Sequence, residues 1–412
     1  MSTPPQERMC PHAEPDDGHT IPHDFAENPY PFFTNLRDTG SVHKVILPDG
    51  TPSWWVTRYE DIDACINDHV RFSSEVTHAV NRPEVQNSQA LIRKDETLRY
   101  TMINRDPPDH SRMRKLVVRA FSANRIDSLR PRIQELAAEL LDRMEERGEA
   151  ELIEDYAFPL PIGVICELLG VPREDISYYG ALVTKLVGAA RPGDGLSAIA
   201  ELKDFIAQKM ADKRKAPADD VFSAMVQAAD EGVLSEPELP AMGLQLLTAG
   251  HETSIYMISG GMFRLLQHPD QLAAVQADPD LARAAVDELL RFDPPPVPGV
   301  FRHATEDVTV DGTVIPKGSL VILCLASANR DTTKFECPER LDVTRAENPH
   351  MAFGGGVHYC LGARLARLEG EVAIGSLIRR FPKLRLAVPA EQIQHRSLNF
   401  LQRLDSLPVV LR

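Results

Sequence analysis

The chain has 412 residues, 43% hydrophobic and 25% charged, proportions that exclude a small disulfide scaffold, wholesale disorder and a collagen-like repeat. Asp plus Glu number 60 against 45 Lys plus Arg, a formal charge of -15 with no basic block, so nucleic acid is not an expected partner. No apolar run approaches a bilayer span and the first twenty residues lack a secretory pattern, which predicts a cytoplasmic protein with no membrane partner.

Residues 1–24, rich in Pro, Asp and His, read as a flexible N-terminal tail, with one domain over 25–412. Short β-like runs between Val42 and Thr57 flank Pro48-Asp49-Gly50 and predict a hairpin. From Asp106 to Arg147 the pattern becomes helical, with Leu129, Ile133, Leu136, Leu140 and Leu141 three and four apart. Helical character continues over 158–229, broken by a turn cluster at 190–195. The longest helix is predicted from about Glu238 to Gln267, apolar on most of its surface and stopped by His268-Pro269. A helix ending at Pro294-Pro295-Pro296 follows, then strands with turns at Asp311-Gly312 and Lys317-Gly318. The fold class is mainly α with a small β region.

Six cysteines lie at 10, 65, 166, 324, 337 and 360, without the paired spacing of zinc or iron-sulfur sites. Cys360 is the exception in context. It follows a glycine cluster, Phe353-Gly354-Gly355-Gly356-Val357-His358-Tyr359-Cys360-Leu361-Gly362, and precedes a helical sequence. Glycines let backbone N–H groups approach a sulfur, and a helix N-terminus favours a thiolate there. A lone cysteine is more often a small buried apolar residue, and a glycine loop can also cradle phosphate. In Ala249-Gly250-His251-Glu252-Thr253-Ser254 an acid and an alcohol sit inside an apolar helix. An unpartnered carboxylate is costly there, although a Thr bonded to its own helix and a Glu on a solvated face would be an equally good reading.

The ten-residue string around Cys360 resembles the haem-binding signature of the cytochrome P450 family: a Phe and glycines, a basic residue two before the Cys, and a Gly two after it. The resemblance implies the cytochrome P450 fold of a soluble bacterial class I type enzyme. It implies heme b (iron protoporphyrin IX), with Cys360 as the iron ligand and Phe353 and Gly354 beside it. Ala249 and Gly250 would leave room for O2 on the opposite face, and Thr253 and Glu252 would deliver protons. His110, Arg114, Arg302 and His358 would hold the haem propionates, with His350 a weaker candidate. Glu288 and Arg291 match the family's Glu-x-x-Arg pair, with Arg345 as third member of a structural lock.

The implied reaction is insertion of one atom of O2 into a hydrophobic small molecule, by hydroxylation or epoxidation, in secondary metabolism such as macrolide or polyketide tailoring. Electrons would come from NAD(P)H through ferredoxin and ferredoxin reductase, or flavodoxin, because the chain shows no dinucleotide fingerprint or cysteine cluster. Arg112, Lys115, Arg119, Arg364 and Arg367 are the expected docking cations. Substrate candidates are Gln245, Ala249, Val297, Gly299, Val300, Phe400 and the 76–92 loop. A peroxygenase would carry Arg-Pro in place of Glu252-Thr253, and a non-catalytic haem sensor would bring a signalling segment that is not seen. An atypical oxidation on the same fold stays open.

Overall fold

The computed structural model describes residues 18–79, 96–187, 192–398 and 401–412. The strands are β1 (His19–Thr20), β2 (Val42–Ile46), β3 (Pro52–Val56), β4 (Phe72–Ser73), β5 (Glu149–Glu151), β6 (Val300–Ala304), β7 (Val308–Val310), β8 (Thr313–Ile315), β9 (Leu320–Leu323), β10 (Arg385–Leu386), β11 (His395–Leu398), β12 (Leu401–Leu404) and β13 (Pro408–Val410). The first helices are α1 (Tyr30–Thr39), α2 (Tyr59–Asn67), α3 (Asp109–Val117), α4 (Ala123–Asp127), α5 (Arg130–Arg147), α6 (Pro159–Leu169) and α7 (Ile176–Val187). They are followed by α8 (Pro192–Lys215), α9 (Val221–Asp230), α10 (Glu238–Gln267), α11 (Pro269–Ala277), α12 (Leu281–Phe292), α13 (Leu325–Ala328) and α14 (Ala363–Arg380).

Two apolar clusters organise these elements. The larger joins α3 to α12 with α14, and α10 runs through it with buried residues around most of its circumference. A helix apolar on all sides has no solvent face to present, so it becomes a core element. The smaller cluster fills the space between α1, α2, α13 and the main sheet, whose order is β1-β2-β3-β9-β6-β4. The chain end is tied back by β13, which pairs antiparallel with β5 and β10.

The helix α10 and the β2–β3 hairpin have the bounds their patterns predict. At Asp311-Gly312 both residues have positive φ, 46° and 76°, and Val310 pairs with Thr313, the geometry of a two-residue type I′ hairpin. Three expectations change. The fold begins before Phe25, because His19 and Thr20 pair in parallel with Val45 and Ile46. The helical stretch from 106 is three helices, α3, α4 and α5, because the chain turns at 118–122 and 128–129. Pro192 already stands at the start of α8, as suits a residue whose ring fixes φ and lacks an N–H, so part of the 190–195 cluster is helical. Most of the 76–92 loop and Phe400 lie outside the described residues.

Candidate active site

Cys360 stands between the turn Gly356–His358 and the start of α14. Its N–H donates to the carbonyl of Phe353 (2.9 Å), closing the loop on itself. Gly356 has φ 58°, and a Cβ there would sit 2.6 Å from the Ile66 carbonyl oxygen of α2, so the loop's seat on α2 requires glycine. Burial raises the Cys360 thiol, and the Gly362 N–H with the charges of Arg114 and Arg367 offsets this only in part. The Gly362 N–H at the start of α14 and the two arginines thus favour the thiolate, and an iron at the sulfur would add to them. Cys360 is nonetheless accessible, as a ligand must be.

Beside this loop the structure gathers basic side chains. His110 of α3 stacks on His358, with ring centroids 4.2 Å apart, and Arg114, one turn on, donates from Nη2 to the Tyr359 carbonyl (2.7 Å). Arg302 of β6 is 6% exposed, and its hydrogen bond is to the neighbouring Phe301 carbonyl (2.7 Å). Burial lowers this guanidinium to about 10, with Asp106 pulling the other way. Burial, then the charges of His358 and Arg114, lowers His110 to about 4, and its Nδ1 has no hydrogen-bond partner. Burial, with the charges of Arg302 and Arg114, likewise depresses His358 against the opposing bond to Asp106. Two arginines and two imidazoles buried together with a single carboxylate, Asp106, among them carry an excess of positive charge and N–H donors suited to an anion.

Sequence reasoning missed what fixes His358. Ser74 Oγ lies 3.0 Å from its Nε2, and Asp106 accepts from the Ser74 N–H (3.0 Å) and the Ser73 hydroxyl. Asp106 opens the DPPDH run, so its place beside His110 was a usable signal. His350, by contrast, is committed elsewhere. It accepts from the Ala352 N–H at Nδ1 (3.2 Å) and meets Asp287 through Nε2 (3.1 Å), which removes it from the anion-binding candidates.

On α10, Ala249 is exposed and Gly250 and Thr253 are partly so, although Leu246, Leu247, His251 and Ser254 are buried. The accessible stripe in the middle of a core helix opens on an internal cleft. Thr253 donates to the Ala249 carbonyl (3.2 Å), leaving its lone pairs to accept. Glu252 is ion-paired with Arg403 of β12 (3.3 Å), so it is not on a solvated face. Ser254 donates to the fully buried Glu369 of α14 (2.6 Å), which fastens the Thr253 segment to the helix that begins after Cys360. Gly250 has another reason to be glycine. A Cβ there would lie 2.6 Å from Ile165 Cδ1, so it serves the packing of α10 on α6 and does not widen the cleft.

Glu288 and Arg291 form a bidentate pair (2.8 Å each) with Arg345 Nε at 3.1 Å, and Arg291 also donates to the carbonyls of Asn329, Pro338 and Arg340. Of the substrate candidates, Gln245 accepts from the Ile103 N–H (3.2 Å) and leaves its amide N–H groups available. Val300 is half-buried on β6, and Val297 is buried in the sheet-side core. Gly299 is corrected. A Cβ there would lie 1.9 Å from the Leu323 carbonyl oxygen, so its role is the close approach to β9. Among the expected docking cations, Arg112 is paired with Glu238 (2.6 Å), Arg367 with Asp287 (2.7 Å) and Arg364 with Asp127 (2.5 Å). Lys115 and Arg119 are exposed.

Among the described residues no cluster of three or more His, Cys, Asp and Glu is arranged to hold a metal ion. An iron at Cys360 must therefore bring its other ligands with it, as in a porphyrin, whose two propionates match the anion pocket of Arg302, Arg114, His110 and His358. The residues present fit haem.

Known proteins agree. The cytochrome P450 family model matches residues 196–403. A vitamin D(3) 25-hydroxylase of Pseudonocardia autotrophica is 42% identical over 389 residues, 94% of this chain and 94% of that protein. The polyketide biosynthesis cytochrome P450 PksS of Bacillus subtilis is 38% identical, covering 94% of this chain and 97% of its own length. The solved structure of the tirandamycin C-bound P450 monooxygenase TamI superposes with a TM-score of 0.88 at 37% identity, over 96% of this chain and 100% of that one.

Proposed function

The chain belongs to the cytochrome P450 family and is a haem-dependent monooxygenase, and from that premise we propose which residues carry the reaction and what it acts on. Cys360 holds the iron. Arg302 and Arg114 neutralise the propionates, His110 donates a hydrogen bond as a neutral ring, and His358, oriented by Ser74 and Asp106, completes the cradle. When bound, the haem reduces O2 with two electrons and two protons, directing one oxygen atom to a substrate C–H bond and the other to water.

The protein's own part lies on α10. Thr253, whose hydroxyl hydrogen is held by the Ala249 carbonyl, accepts a hydrogen bond from a partner in the cleft and fixes its position. Glu252 supplies protons beside it. The accessible stripe of Ala249 and Thr253 in a buried helix is the observation that carries this reading. No helix among the described residues is long and apolar enough to cross a membrane, and we place the reaction in the cytoplasm. Electrons arrive from a separate acidic ferredoxin that meets Lys115 and Arg119, flanking the exposed Val118.

The substrate is a large apolar molecule of polyketide or macrolide type, oriented in the cleft by the free amide N–H of Gln245 against a substrate oxygen. The relatives named for polyketide biosynthesis and for binding tirandamycin C support this class. The test is turnover of a panel of macrolide and polyketide aglycones under 18O2 with a surrogate ferredoxin and reductase. We expect a product carrying one 18O atom. Label acquired from water, or oxidation supported equally well without O2, contradicts the proposal.

A further inference from the structure

Next to Glu252 on α10 stands a second titratable group with no assigned part. His251 is fully buried. Its Nδ1 lies 2.6 Å from the Leu247 carbonyl, which can only accept, so that nitrogen carries a hydrogen. In the neutral ring Nε2 is then a bare lone pair. It faces the Glu252 carboxylate, 3.3 Å from Oε1, and neither atom has a hydrogen-bond partner. Two acceptors with no proton between them repel each other, and His251 is fully buried. One proton resolves the clash.

We propose that His251 and Glu252 hold a single proton in the gap between Nε2 and Oε1, and that His251 is the positioning residue from which Glu252 draws the proton it delivers on the Thr253 side. The inference rests on the assignment of Glu252 and Thr253 to proton delivery. In the transfer the N–H bond at Nε2 breaks as an O–H bond forms at Glu252 Oε1. The carboxylic acid releases that proton towards the cleft, and a proton from water restores the pair. No electrons move.

The groups around the pair bias where the proton rests. Arg403 of β12 holds the other carboxylate oxygen (3.3 Å). Tyr179 of α7 meets His251 Nδ1 at 3.1 Å. Burial and the charges of Cys166 and Glu252 keep Tyr179 well above its ordinary value, so it stays a neutral phenol. Burial raises the Glu252 carboxyl, but its bond to His251 and the charges of His251 and Arg403 outweigh that and hold it below the usual range. Glu252 therefore presents a carboxylate to Nε2 across the 3.3 Å gap.

The experiment is long-range 1H–15N correlation NMR of the 15N-histidine-labelled holoprotein in its diamagnetic ferrous carbonyl form, with His251 assigned by its absence in His251→Gln. We expect both ring nitrogens of His251 to show N–H character in the wild type and the neutral Nδ1–H tautomer to appear in Glu252→Gln. A bare Nε2 in both proteins overturns the proposal. Turnover supplies the second reading, and the NMR comparison stands if His251→Gln fails to fold, the assignment then being made with His251→Asn. His251→Gln should lower the fraction of electrons recovered in product by about tenfold with an enlarged solvent isotope effect, and Glu252→Gln added to it should cost little more. Wild-type coupling in His251→Gln beside defective Glu252→Gln and Thr253→Ala overturns this inference alone. Wild-type coupling in all three overturns the assignment of Glu252 and Thr253 as well.

Discussion

Two buried sets of arginines in this molecule use the same chemistry to opposite ends. Around Glu288 every charge is answered: its carboxylate meets Arg291 and Arg345 and accepts from the Asp342 N–H and Asn348, while Arg291 spends its donors on three carbonyls. Around Arg302 the charges are left over, with one backbone carbonyl for the guanidinium and nothing for His110 Nδ1. A satisfied network locks elements together, whereas an unsatisfied one marks where a ligand belongs.

The contrast can be broken most forcefully at the lock. Glu288→Ala leaves Arg291, 0% exposed, without its counter-ion, and breaking a buried pair in this way costs about 3–5 kcal/mol. We expect a collapse in the yield of folded haem protein, read by soluble expression and the denaturant midpoint. A midpoint close to wild type would show that the carbonyls alone hold Arg291. At the pocket the expected result is of another kind. Arg302→Leu removes a cation that no carboxylate of the protein hydrogen-bonds, so folding should survive while haem transfer to a scavenging apoglobin quickens by about ten- to a hundredfold, the loss of one charge-assisted hydrogen bond of about 1.5–3 kcal/mol. An unchanged transfer rate would remove Arg302 from the cradle.

A third buried charge site falls between these two. Glu369 has one oxygen on Ser254 and the other without a partner, and burial raises it from 4.5 to about 8 against the opposing Ser254 bond. Its folded value lies above its unfolded one, so the folded chain binds the extra proton. The stability this gives is complete below about 4.5 and is lost as pH rises through about 8. Thermal melts of wild type between pH 5 and 9 should therefore decline more steeply than those of Glu369→Gln. Parallel curves would mean that the carboxyl is ionised throughout or finds an unrecognised donor.

How much of this was legible in the sequence follows from what a sequence pattern reports. An apolar run of helical spacing says that a segment is buried on all sides, which is why α10 stood out together with its stop at His268-Pro269. The Cys360 loop was legible because its chemistry is local, ten consecutive residues of fixed spacing. Partners across the fold leave no such trace. Arg403 reaches Glu252 across 151 positions, and His350 turned to Asp287 instead of the anion pocket. Glycines were the least transparent, since Gly250 and Gly299 are required by Ile165 and the Leu323 carbonyl, neighbours that only the fold supplies.

The most direct test of the account is the absorption spectrum of the ferrous carbonyl form of the wild type and of Cys360→His. Thiolate ligation by Cys360 predicts a strongly red-displaced Soret maximum in the wild type and its replacement by an imidazole-type spectrum in the variant. An unaltered red-displaced maximum in Cys360→His, or none in the wild type, would place the iron elsewhere.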